Sequence, residues 1–257
     1  MTSKNFEQIS QRALNFVDGY RIGGKLLPMH QLKLEHTLRV AADSRLIAAG
    51  MNFSENEINL AEAVGILHDV ARFPQFKMYG SFSDAETIDH GDLGVETIVK
   101  ENMLAGIAPA ERDIILHVVK HHNKKSLPPV MTAGEEKFTR LIRDADRIDI
   151  FFICWDSIKT GHIHDHPEII MGIDFYGAPT DAILEQFERG EQIDYRNMNS
   201  LADRFVLQLT WILDLTYAAT KKLVLDRRIL ENFIDVLPVK TDRLIACFKK
   251  TEDFLRA

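Results

Sequence analysis

An all-α fold is predicted from three observations. Apolar residues recur at helical spacing along most of the chain, no segment shows strand-like alternation or a hairpin turn, and helix start and stop residues punctuate the periodic stretches. Helical periodicity runs through about 5–17, 30–48, 55–72, 91–103, 110–122, 135–160, 200–224, 227–236 and 240–255. The third helix has the clearest start: Ser54 and Glu57 make a capping-box pattern, and Phe53 with Ile58 supplies a hydrophobic staple. Gly50 ends the helix before it and Pro74 follows it. Pro109 suits the first turn of the fifth helix, and Pro128–Pro129 stop that helix from continuing. The stretch 161–199, rich in Gly, Asp, His and Pro, reads as a long loop with room for one short helix. Residues 1–160 are expected to form the functional helical core. Residues 161–257 are expected to be a loop and C-terminal helices packed as part of the same domain, since no flexible linker separates them.

Composition narrows the function. With 257 residues, 46% apolar and 27% charged, the chain can bury a substantial core. A net charge of −7 argues against an extended nucleic-acid surface, which is normally basic, but leaves room for a local basic pocket. The two cysteines, Cys154 and Cys247, lie far apart in helical surroundings and read as buried small hydrophobes. No signal-peptide core and no run of 18 apolar residues is present, so a cytoplasmic location without a membrane partner is expected.

The chemistry concentrates in four side chains. His68–Asp69 ends the apolar run AEAVGILHDVARF, His36 lies upstream in HQLKLEHTLRVAA, and Asp146 lies downstream in IRDADRID. Burying a carboxylate among such groups costs several kcal/mol unless something pairs them, and a divalent cation does so most simply. A lone His36 beside Leu32 and Val40 would read as a hydrogen-bonded core histidine, and a lone Asp69 as a partner of Arg72. Together the four read as ligands. In RLIRDADRIDIFF, Asp144 stands between Arg140 and Arg147 and reads as a solvated ion-pair position. Asp146 and Asp149 have apolar neighbours at the helical repeat and face the core.

The series His36…His68-Asp69…Asp146 resembles the HD-domain metal-dependent phosphohydrolases over about residues 30–155. The wider run HDVARFPQF…YGSF…DAETIDHGDLG…HHNKK…LIRDADRIDIF looks most like uncharacterised bacterial members. The resemblance implies an HD-domain helical bundle with a C-terminal helical extension. It makes Asp146 the last ligand and Asp149 a catalytic candidate beside Asp69. Relatives with two metals carry further histidines in this interval, which points to His90 and to His122, with His121 close behind. His117 and His121 share a face and are a rival pair. The family's frequent HD-x-Gly-Lys run is HDVAR here. Arg72 could therefore grip a phosphate or simply meet a helix C-terminus. Lys124, Lys125 and Arg147 are further phosphate candidates, with a solvated helix end the alternative for the lysines. The Gly-Tyr-Pro stretch of the HD-GYP subfamily is absent, so cyclic-dinucleotide hydrolysis by that route is not expected. His162, His164 and His166 in GHIHDHP read as a solvent loop.

The expected activity is hydrolysis of a phosphate ester, monoester or diester, of a small metabolite, most simply a nucleotide, by metal-activated water. One or two ions are expected, and spacing does not choose among Mn, Fe, Co, Ni, Zn and Mg. The alternatives are a di-iron oxygenase of the same superfamily and a non-catalytic nucleotide or metal sensor.

Overall fold

The computed structural model of the protein describes residues 1–164 and 173–257. It is built of α-helices. Among the described residues β-pairing is confined to two isolated bridges, Ile22–Lys25 and Asp174–Ser200. No described helix is long and apolar enough to cross a membrane. The chain divides into two compact units, Met1–Asp146 and Arg147–Ala257. The division falls inside a helix, between Asp146 and Arg147.

The first unit contains α1 (Ser3–Asp18), α2 (Pro28–Gly50), α3 (Glu55–Leu67), α4 (Arg72–Tyr79), α5 (His90–Lys100), α6 (Pro109–His121) and the start of α7 (Ala133–Thr160). The predicted starts are in place. Pro109 opens α6, and the Ser54 backbone N–H donates to the Glu57 carboxylate at 2.9 Å. Glu57 also accepts from Lys137, which ties the head of α3 to α7.

Two helix crossings set the site. Where α3 lies on α2, a Cβ added to Gly65 would stand 2.6 Å from the Ala41 Cα, so only glycine permits the approach. Where α5 lies on the end of α6, a Cβ on Gly91 would stand 2.7 Å from the Lys120 carbonyl and one on Gly94 2.7 Å from Val119 Cγ1. One crossing brings His36 to His68, the other His90 to His122.

The third helix is shorter than its periodicity suggests. It ends at Leu67, and 68–71 form a tight turn before α4. There the hydrogen bonds shorten to three-residue spacing, Val70 N to Leu67 O at 3.1 Å and Arg72 N to Asp69 O at 2.9 Å. Arg72 therefore begins α4 rather than closing α3.

The second unit contains the rest of α7, then α8 (Asp181–Arg189), α9 (Leu201–Leu213), α10 (Ala218–Asp226), α11 (Ile229–Val236) and α12 (Asp242–Arg256). The short helix expected within 161–199 is α8, ended by Gly190 in the left-handed region. The single helix expected over 200–224 is two. Arg147 takes up both the Asp214 carboxylate, at 2.7 Å, and its carbonyl, at 3.3 Å, and the chain turns there. Phe205 stacks on Phe233 with centroids 4.4 Å apart, and Phe151 meets Phe233 edge-on. Cys154 and Cys247 are free and buried, as expected. His162 is exposed, while His166 lies outside the described residues.

Candidate metal centre

His36 reaches inward from mid-α2, and His68 and Asp69 from the turn after α3. His90 is the first residue of α5, His122 follows the last residue of α6, and Asp146 comes from α7. His36, His68, Asp69, His90 and His122 are buried in the first unit, while the Asp146 side chain is 21% exposed.

Asp69 divides its two oxygens between two groups. Its Oδ2 lies 3.4 Å from His36 Nε2 and 3.9 Å from His68 Nε2. Asp146 Oδ1 closes that group, 3.2 Å from His36 Nε2 and 3.8 Å from His68 Nε2. Asp69 Oδ1 lies 3.4 Å from His90 Nε2 and 3.7 Å from His122 Nε2, and those two nitrogens are 3.0 Å apart. Two ligand triads that could hold a metal thus share one carboxylate, His36–His68–Asp69 and Asp69–His90–His122.

The donor set fits cations. His122 Nδ1 donates to the Val119 carbonyl at 2.8 Å, and His90 Nδ1 donates to Asp84 Oδ2 at 2.5 Å. A neutral ring with its proton on Nδ1 presents a bare lone pair at Nε2. In that tautomer both rings turn a lone pair toward the Asp69 oxygen, an arrangement that a positive ion entering among them relieves. His68 is set the same way, its Nδ1 donating to the Gly65 carbonyl at 2.7 Å. Burial pushes the His68 ring down to about 4 and, with help from Arg72, the His90 ring down to about 3, so both are neutral near pH 7.

The carboxylates stay ionised for the opposite reason. Burial alone would raise Asp69, but Lys33, Arg72 and His68 outweigh it and hold it well below the usual carboxylate range. Asp146 is likewise lowered against its burial, chiefly by His36 and then His68. Asp84, which orients His90, is lowered by His90, Arg72 and Gln75 against its own burial. A carboxylate behind a histidine ring fixes the tautomer and raises the basicity of the free nitrogen.

The other expected residues have surroundings of their own. His121 packs its ring on His117, centroids 4.6 Å apart, beside Glu135, so it is His122 that joins His90. Arg72 does not present an open fork. Its Nε faces Asp69 Oδ1 at 3.3 Å, while Nη1 donates to Gln75 Oε1, the Phe82 carbonyl and Asp84 Oδ1. It braces the two carboxylates. Lys124 pairs with Asp89 at 2.6 Å and Asp92 at 3.1 Å, and Arg147 with Asp214. Asp149 is buried and belongs to the second unit. Asp144 is 1% exposed, which corrects its reading as a solvated residue. The arginines invoked for it go elsewhere, Arg140 to Glu136 and Arg147 to Asp214.

Three residues escaped sequence reading. Lys33 contacts Asp69 Oδ2 at 2.8 Å, and its place one turn before His36 was the available signal. Asp84 and Asn123 carried none. Asp84 is one of several acids in a loop, and Asn123, which donates to Asp84 and Asp89, follows the paired histidines without periodicity.

A helical core with paired histidines around a shared aspartate is built to hold metal ions. Residues 34–151 match the family model described as HD domain, and this part of the chain is an HD domain. Proteins of this family are generally metal-dependent hydrolases. No curated protein and no solved structure gives a significant match.

Proposed function

We propose that the protein is a metal-dependent phosphohydrolase acting on a phosphate ester of a small metabolite, with a nucleotide the first candidate. The observation that carries the reading is the division of Asp69 between the pairs His36–His68 and His90–His122. One divalent ion would be held by His36, His68, Asp69 and Asp146, and a second by Asp69, His90 and His122. Bound there, such ions supply a water acidic enough to attack phosphorus near neutral pH and positive charge beside the phosphoryl oxygens.

The chain's own contribution is preorganisation. Backbone carbonyls of Gly65 and Val119 aim His68 and His122, and Asp84 aims His90. Arg72 spans Asp69 and Asp84, so the two ligand groups are braced as one. Asp146 is the partly exposed carboxylate of the set and would close the His36–His68 ion position on its outer side. The nucleotide preference rests on the family resemblance alone, and the cytoplasmic setting on the sequence alone.

The test is metal analysis of the purified protein, joined to phosphate release from nucleoside mono- and diphosphates and simple phosphate esters with added Mn, Co, Ni, Zn or Mg. Metal-dependent release that disappears in Asp69→Asn supports the proposal. A six-residue set sharing one carboxylate also permits two irons. Oxygen consumption with an iron absorption band, and no phosphate release, would replace the proposal with the oxygenase. Metal and nucleotide binding without turnover would replace it with the sensor.

A further inference from the structure

Lys33 is a cation lodged where the ligand groups converge. Its ammonium lies 2.8 Å from Asp69 Oδ2, the oxygen that also faces His36 and His68. The side chain is 18% exposed, so it reaches from the rim of the site, and its ammonium sits 5.4 Å from the Phe82 ring centroid. The Arg72 guanidinium lies over the same ring at 5.6 Å but is fastened by Asp69, Gln75, Phe82 and Asp84. Of these two cations, Lys33 has the simpler attachment, an ammonium on a flexible stem, and is the better able to move.

We propose that Lys33 acts in turn as an internal counter-ion and as a phosphate-binding residue. Without metal its ammonium neutralises Asp69 Oδ2 and keeps the buried carboxylate tolerable. A divalent ion taking that oxygen repels the ammonium at a few ångströms, in surroundings where charges act strongly. The ammonium then moves along the Phe82 face toward the rim, where an oxygen of a phosphate ester gives it a new anion. Lys33 thereby links metal loading to substrate binding: the site holds phosphate well only once metal has freed the lysine. No covalent step is involved. The proposal rests on the metal-centre reading above.

The experiment uses metal-depleted full-length protein, with Mn²⁺ and inorganic phosphate as probes in isothermal titration. Lys33→Met keeps the stem and removes the charge, and Lys33→Arg keeps a charge. Lys33→Met is expected to bind Mn²⁺ more tightly than wild type, on the order of tenfold, and the Mn²⁺-loaded variant to bind phosphate more weakly by a similar factor. Lys33→Arg is expected to stay close to wild type for Mn²⁺. Circular dichroism of each variant establishes that the helical fold is kept, and if Lys33→Met fails to fold without metal, Lys33→Gln takes its place. Unchanged Mn²⁺ affinity in the uncharged variant would overturn the counter-ion role, and unchanged phosphate affinity the second role. Wild-type protein that binds no Mn²⁺ would overturn both this proposal and the reading beneath it. Intact Mn²⁺ binding without the Lys33 effects would overturn this proposal alone.

Discussion

Replacing Asp69 by asparagine keeps the shape of the side chain and removes the charge that both histidine pairs face. That change is expected to lower the content of both ions, whereas Asp146→Asn weakens only the His36–His68 ion and His122→Ala only the His90 ion, each checked by metal analysis. Asp144 makes the contrast. It is buried but outside the triads, so Asp144→Asn should cost about 1–3 kcal/mol in denaturant unfolding and leave metal content near wild type. Equal metal loss from Asp144→Asn and Asp146→Asn would refute this division. The sequence distinguished these two aspartates for the wrong reason. Leu141, Ile142, Ala145 and Ile148 are all buried, so α7 has apolar neighbours on most sides of this segment, and helical phase could not find its solvent face. His36, His68, Asp69, His90 and His122 were legible because they sit at helix ends or in apolar runs, where a polar ring needs a reason. Asp84 and Asn123 were not, because loop residues have no period to break.

At the scale of elements, glycine sets how closely the helices approach, and closeness sets the ligand distances. Gly65→Ala would drive a methyl into the Ala41 backbone of α2, costing about 1–3 kcal/mol and shifting His68 away from His36. Thermal unfolding and metal titration should fall together, and a variant that lost stability but kept full metal affinity would show that the crossing does not aim the ligands. Helix caps give a second check. The Glu57 carboxyl is lowered to about 2, first by Lys137 and then by the Ser54 hydroxyl and N–H. A carboxyl whose folded pKa is depressed adds stability in full above its unfolded value, about 4.5, and loses it as pH falls through its folded value. The stability gap between wild type and Glu57→Gln should therefore be present at pH 6 and close toward pH 2. A gap that stayed constant over that range would contradict the ion-pair account. Because Glu57 is partly exposed, the gap is small, about 0.5–1 kcal/mol. These starts were readable because capping chemistry is local. The breaks at 68–71 and 214–217 were not, because side chains distant in sequence or bonds to the turn's own carbonyls decide them.

For the whole molecule, metal should act as a folding ligand of the first unit. Its buried donors Asp69, His90 and His122 leave mutually repelling lone pairs that a cation relieves. At a hundredfold excess over its dissociation constant a single ion adds about 2.7 kcal/mol to stability. Adding a chelator to the loaded protein should accordingly lower its melting temperature, and re-adding metal should restore it. A melting temperature indifferent to metal would contradict that linkage. The all-α class and the helical core were legible in the sequence because periodicity repeats over many turns. The division at 146–147 was not, because α7 runs unbroken through it and apolar periodicity does not say which core each half serves.

The central claim is that Asp69 is shared by two cation positions. Anomalous diffraction from crystals of the protein soaked in Mn²⁺ tests it most directly. Two peaks are predicted about 3.5–4 Å apart, one beside His36, His68 and Asp146, the other beside His90 and His122, with one Asp69 oxygen toward each. A single peak that left His90 and His122 unliganded, or no peak within reach of Asp69, would contradict the account.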